Sequence, residues 1–219
     1  MYSGSESLIN DGVYLKPTVK DFWQWAIPDL SDATVRGTFA EFIVKSALDS
    51  HGYVYNETST GWEPYDLDGP EIPTLNRKSR IEVKCSAFLQ KNAIRQPDHC
   101  IFSIAPAQVI RSPEQGFVDG DPKQRNNDIY VFCVYTATQG RANILDLSWW
   151  EFYVLPTQQI ENNPKLVMQK TISLKRVKEL CSALTYDELC PEIIKVCEKT
   201  VSDQVRKFYP PPNGKNEGV

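Results

Sequence analysis

The spacing of apolar residues changes several times along the chain, and each change assigns an element. In TFAEFIVKSALDSHG the apolar positions Phe39, Phe42, Ile43 and Ala47 recur at steps of three and four, which predicts a helix with those residues as its buried stripe. Ser31 and Asp32 are N-cap types ahead of it, and Gly52 is a stop behind it. From Arg80 to Phe88 the period becomes two. Ile81, Val83 and Cys85 face one way, and Arg80, Glu82, Lys84 and Ser86 the other, as in a strand with one buried face. CIFSIA at 100–105 reads as a further strand, DIYVFCVYTA at 128–137 as a central one, and SWWEFYVLP at 148–156 as an aromatic one. TISL at 171–174 reads as short extended structure leading into a helix from Lys175. Beyond Thr185 a stripe of Ile194, Cys197, Val201, Val205 and Phe208 predicts two helices, with Pro191 opening the second.

The stretches between these elements are polar. Residues 1–18 read as a loose arm, followed by a short aromatic helix from Asp21 to Ile27 that Pro28 ends. Residues 53–69 are extended and turn-rich, 106–127 form a long proline-containing loop, and 209–219 a disordered tail. This order of helix, strands and helices predicts an α/β domain over 19–208, a mixed sheet flanked by helices.

Composition narrows the class. No run of about 18 apolar residues occurs, so no membrane partner is expected. The first twelve residues lack the basic and apolar regions of a secretory signal. The six cysteines, Cys85, Cys100, Cys133, Cys181, Cys190 and Cys197, include no C-x-x-C pair, and only two histidines accompany them. They read as reduced core residues of a cytoplasmic protein rather than as zinc ligands. The net charge of −4 argues against coating nucleic acid by charge alone. One stretch runs the other way: between Asn76 and Arg95 six cations, Arg77, Lys78, Arg80, Lys84, Lys91 and Arg95, face the single acid Glu82.

That stretch contains Glu82-Val83-Lys84. An acid and a lysine two apart on a strand share a face. Phosphodiester hydrolysis calls for a hard divalent cation held by one or two carboxylates, with a cation nearby to offset charge in the transition state. Glu82 and Lys84 meet part of that demand, and Asp66 can supply a second carboxylate. Asp68 is the alternative, but Gly69-Pro70 should end the strand before it.

With GTFAEFIVKSAL, WEPYDLDG and IEVK in this order, the sequence resembles the PD-(D/E)XK nuclease superfamily over roughly residues 32–105. The chain also resembles small bacterial proteins built on that core. The resemblance implies a restriction-endonuclease-like fold and Mg²⁺-dependent hydrolysis of DNA, with Mn²⁺ as a substitute, in restriction or DNA processing. It implies Asp66 and Glu82 as metal ligands with the Val83 carbonyl beside them, Lys84 as the catalytic cation, Glu41 acting through a water, and Gln90 as an accessory at the rim. Tyr65 stands before Asp66 where the pattern has proline, although Pro64 is adjacent. DNA is the expected partner, with a homodimer as a further one.

Each residue also has an ordinary reading. E-x-K arises on any exposed amphipathic strand. Glu41 stands four before Lys45, so a surface ion pair would account for both. Trp23, Trp25, Trp62, Trp149 and Trp150 could stack on bases, although aromatics at such spacing are more often core. Arg111, Lys123 and Arg125 could reach phosphates from the long loop. The competing function is a binding module that keeps the fold and leaves the chemistry unused. A further alternative is an acidic interaction protein in which E-V-K is accidental.

Overall fold

The computed structural model describes residues 2–53, 64–90, 93–94, 99–107, 123–138 and 142–208. At the N-terminus Ser7–Asn10 (β1) and Val13–Thr18 (β2) pair as an antiparallel hairpin. Asp11 at φ 47 and Gly12 at φ 80 supply the two positive φ angles that a two-residue hairpin turn needs. Helix α1, Val19–Ala26, follows directly. Thr18 accepts the Asp21 N–H and the Asp21 carboxylate accepts the Thr18 N–H, a reciprocal cap. The described part of the expected loose arm, residues 2–18, is therefore ordered by an Asp-Gly turn and a capping box.

Helix α2, Ala33–Ser50, is capped by Asp32, whose side chain accepts the Thr34 N–H. Its buried face is Arg36, Ala40, Ile43, Val44, Ala47 and Leu48. Phe42 is 61% exposed and Phe39 only partly buried, so the stripe lies rotated from the expected one. Nearly every position from Phe39 to Leu48 is small or apolar, and spacing alone does not single out the inner face.

The sheet follows. Leu67–Ile72 (β3) runs antiparallel to Arg77–Ala87 (β4), with Leu67 opposite Ile81 and a bulge between Asp68 and Glu71. Leu89–Gln90 (β5) and Ala93–Ile94 (β6) make a minimal hairpin, and Ile101–Ser103 (β7) lies outside the main sheet. Ile129–Tyr135 (β8) pairs parallel to β4, Ile81 beside Ile129 and Glu82 beside Tyr130. Trp150–Pro156 (β9) pairs antiparallel to β8. The order β3-β4-β8-β9 makes a four-stranded mixed sheet. Then come Thr157–Glu161 (α3), Thr171–Ser173 (β10), which pairs with β7, Leu174–Leu180 (α4) and Tyr186–Phe208 (α5).

Two apolar layers sandwich the sheet. Ile81, Val83, Ile129, Val131, Phe152 and Val154 meet α2 and the Leu189, Cys190, Ile193 and Val196 side of α5. On the other face Tyr130, Phe132, Val134, Tyr153 and Leu155 meet Phe102, Ile104, Ile160, Ile172, Leu174 and Val177. Every residue of β8 is buried, as its unbroken apolar run requires. The long segment after Thr185 is one helix, not two, with Pro191 inside it. Pro191 is the sixth residue of α5, where its missing N–H forgoes one helical bond, and Cys190 and Ile193 on either side are fully buried. All six cysteines are free, four of them buried. No helix among the described residues is long and apolar enough to cross a membrane.

Candidate metal site

The β3–β4 hairpin positions the chemistry. Asp66 stands just before β3, and its backbone N–H donates to the Ile81 carbonyl at 3.0 Å. Leu67 is opposite Ile81, so the register continued by one residue sets Asp66 opposite Glu82. The Asp66 side chain then takes over from the ladder: Oδ2 accepts the Val83 N–H at 2.7 Å. A residue's N–H and C=O leave a strand on the same edge. The Val83 carbonyl therefore faces the Asp66 side as well.

Lys84 and Glu82 form a direct side-chain ion pair on their shared face, with side chains 29% and 19% exposed. Glu41 enters from α2. Lys45, the ordinary partner for it, bonds Asp49 at 2.5 Å instead. Burial raises the Glu41 carboxyl to about 7, helped by the negative charges of Asp66 and Glu82 and opposed by Lys84. Asp66 is also raised, chiefly by burial, while the Val83 N–H and Lys84 hold it down. Burial again leads at Glu82, with Asp66 adding to it and Lys84 opposing. Three acids and one lysine thus share one half-buried field.

Such a field suits a cation. Oxygen donors from two carboxylates and one carbonyl match a hard divalent ion that keeps several waters. Among the described residues no three His, Cys, Asp or Glu side chains form a protein-only cage.

Other expected features fall out differently. Asp68 is engaged elsewhere, accepting Tyr65 Oη at 3.2 Å and pairing with Lys78 at 3.5 Å. Of the cations in that stretch, Arg77 binds Asp128 through two bonds of 2.7 and 2.9 Å, and Arg80 lies 5.5 Å over the Tyr65 ring. Arg125 does not reach outward; it clasps the carbonyls of Ile104, Val167 and Gln169. Gln90 ends β5, and its side chain lies outside the described residues, as do Trp62, Lys91, Arg95 and Arg111. Trp150 is core, whereas Trp25 is 78% exposed.

Two contributors escape a reading of the sequence. Tyr130 stands beside Glu82 across the parallel pairing, a neighbour that no local spacing reveals. Asp128 fixes the start of β4: beyond Arg77 it accepts the Arg80 N–H at 2.8 Å, and its own N–H donates to the Arg80 carbonyl at 2.8 Å. Its signal is the one acid directly before the most apolar strand. No protein-family model matches the sequence, and no curated protein matches it.

Proposed function

We propose that this chain is a Mg²⁺-dependent nuclease of the restriction-endonuclease-like kind, acting on phosphodiester bonds in DNA. The observation that carries the reading is the junction of Asp66 with β4, where one carboxylate oxygen is used to lock Val83 beside the Glu82–Lys84 pair. A helix bearing Glu41, a hairpin bearing Asp66 and E-V-K, and a mixed four-stranded sheet support the fold assignment.

A bound divalent ion would polarise the phosphate and lower the pKa of an attacking water. Asp66 and Glu82 would hold that ion, with the Val83 carbonyl as a third oxygen. Lys84 would leave its pairing with Glu82 as the carboxylate turns to the cation, and its ammonium would face the charge developing on the phosphate. Glu41 would orient a water from α2. Nicking of supercoiled plasmid tests the proposal. Activity should appear with Mg²⁺ or Mn²⁺, vanish with a chelator, and vanish in Glu82→Gln. Plasmid left intact under all metal conditions would leave the reading without support.

A further inference from the structure

Strand β4 leaves one edge open beside the candidate site. The Arg80 carbonyl accepts the Asp128 N–H, and the Phe88 N–H donates to the Tyr135 carbonyl, so the even-numbered residues of this stretch turn their backbone groups toward β8. The odd-numbered residues turn theirs the other way. On that side the ladder with β3 reaches only as far as Leu67, and Asp66 closes it by accepting the Val83 N–H. Cys85 comes next on the same edge. Among the described residues no hydrogen bond reaches its N–H. Cys85 is partly exposed, so the edge can be approached there.

A buried cation accompanies that N–H. Arg36, in the first turn of α2, is 3% exposed. Its Nη1 donates to the Ser31 carbonyl at 2.7 Å, its guanidinium lies against the Cys85 thiol, and its Nε has no hydrogen-bond partner. Among the described residues no carboxylate forms an ion pair with it. Asp32, four residues before it, caps the Thr34 N–H instead. The Cys85 thiol supplies no counter-charge, because burial of the sulfur pushes it up to about 11. A buried guanidinium without a counter-ion is costly. The positive end of the α2 dipole adds to that cost. The two unused donors, Arg36 Nε–H and Cys85 N–H, converge on one residue. A guanidinium and a backbone N–H are the pair of donors that phosphate oxygens accept from.

We propose that Arg36 and the Cys85 N–H hold the phosphate next to the scissile one, which makes Arg36 a positioning residue for the substrate strand. The proposal rests on the nuclease reading. Val83, whose carbonyl faces the Asp66 side, and Cys85 are two residues apart, about 6.6 Å along the strand. One nucleotide step spans such a distance. With one phosphate at the metal, its neighbour meets the Cys85 N–H through one oxygen and the guanidinium through another. The substrate then brings the counter-charge that Arg36 lacks in the free chain.

Amide NMR of the unaltered full chain, without divalent ions, gives the first test. The Cys85 amide should shift with a short DNA duplex and with inorganic phosphate, should saturate with phosphate in the millimolar range, and should ignore chloride. Variants give the second. Arg36→Met removes the charge and keeps the length, so its urea midpoint should equal or exceed the parent's. Its dissociation constant for the duplex should rise roughly ten-fold, and the slope of log affinity against log salt should shrink by about one. Arg36→Lys keeps the charge without the planar fork, so its affinity should fall between the two and its salt slope should stay with the parent's. A Cys85 amide that ignores the duplex overturns the inference, and so does an Arg36→Met chain that binds the duplex as the parent does. An Arg36→Met midpoint well below the parent's also overturns it, since the guanidinium would then be a structural group. The two readings fail separately. Duplex binding with these features in a chain that nicks no plasmid upholds the phosphate contact and refutes the cleavage, whereas nicking by a chain whose Cys85 amide stays still does the reverse.

Discussion

Asp66 binds Val83 where the β3–β4 backbone ladder stops, its Oδ2 accepting the Val83 N–H at 2.7 Å. One side chain thus fixes the strand that carries Glu82 and Lys84, and under the proposed function it would also offer negative charge to a cation. Substitution should separate them. Asparagine retains an oxygen for the Val83 N–H but lacks the charge. Asp66→Asn should keep the parent's urea midpoint and lose Mg²⁺ affinity. Asp66→Ala should lose both, with stability falling by about 1–2 kcal/mol for the hydrogen bond. Calorimetric titration with Mg²⁺ and urea melts of the two variants check this.

Lys84 is predicted to act after binding. The ligands survive in Lys84→Ala, so Mg²⁺ affinity should be unchanged or slightly higher, because Glu82 loses its ion-pair partner. Cleavage should fall by roughly 10²–10³, the usual effect of removing one transition-state stabiliser. Parent-like nicking by Lys84→Ala would remove Lys84 from the chemistry and leave the two carboxylates to carry the reading.

Glu41 makes metal-free stability depend on pH. Its folded pKa of about 7 lies above the ordinary value of 4.5. The folded chain therefore binds that proton more tightly than the unfolded chain. The resulting stabilisation is full below about 4.5 and is lost as pH rises through about 7. Asp66 and Glu82 shift in the same direction. Without metal, the parent should lose melting temperature across this window, and Glu41→Gln should lose less. Saturating Mg²⁺ at pH 8 should restore the parent's melting temperature. A Glu41→Gln curve parallel to the parent's would exclude the coupling.

Asp128 should matter for stability more than its place at a strand end suggests. It takes two bonds from Arg77 and one from the Arg80 N–H, and its side chain is 17% exposed. Asp128→Ala leaves these donors unpaired at the start of β4. Stability should fall by about 1.5–3 kcal/mol. Arg77→Ala should cost less, since the Arg80 bond remains. Chemical denaturation of both variants gives the comparison.

Much of the frame was legible because it is local. The helix after Asp32, the alternation of Arg80–Phe88 and the apolar run at 129–135 are each written in consecutive residues. The N-terminal hairpin is written in Asp11-Gly12 between Leu8-Ile9 and Val13-Tyr14, and the reading of residues 1–18 as a loose arm passed over it. Pro191 suggested a helix boundary, yet the buried residues on either side of it belong to one continuous helix. The candidate site divides the same way. Glu82 and Lys84 are two apart in sequence, and their pairing follows from strand period. The company of Tyr130 and Glu41 depends on which elements meet, and sequence spacing carries no record of it. Even Glu41's local alternative, Lys45, turned out to have a better partner one turn on.

The parallel pairing of β4 with β8 has a kinetic consequence. Asp66 and Glu82 belong to a hairpin of near neighbours, whereas Ile81 and Ile129 are 48 positions apart in the chain. Closing so long a loop costs entropy before any pairing repays it, which slows folding in proteins rich in such contacts. The acid-bearing hairpin can therefore assemble before the strand that buries its far side arrives. In that interval Ile81 and Val83 lack their neighbours, and an unpaired β4 edge is open to strands of other chains.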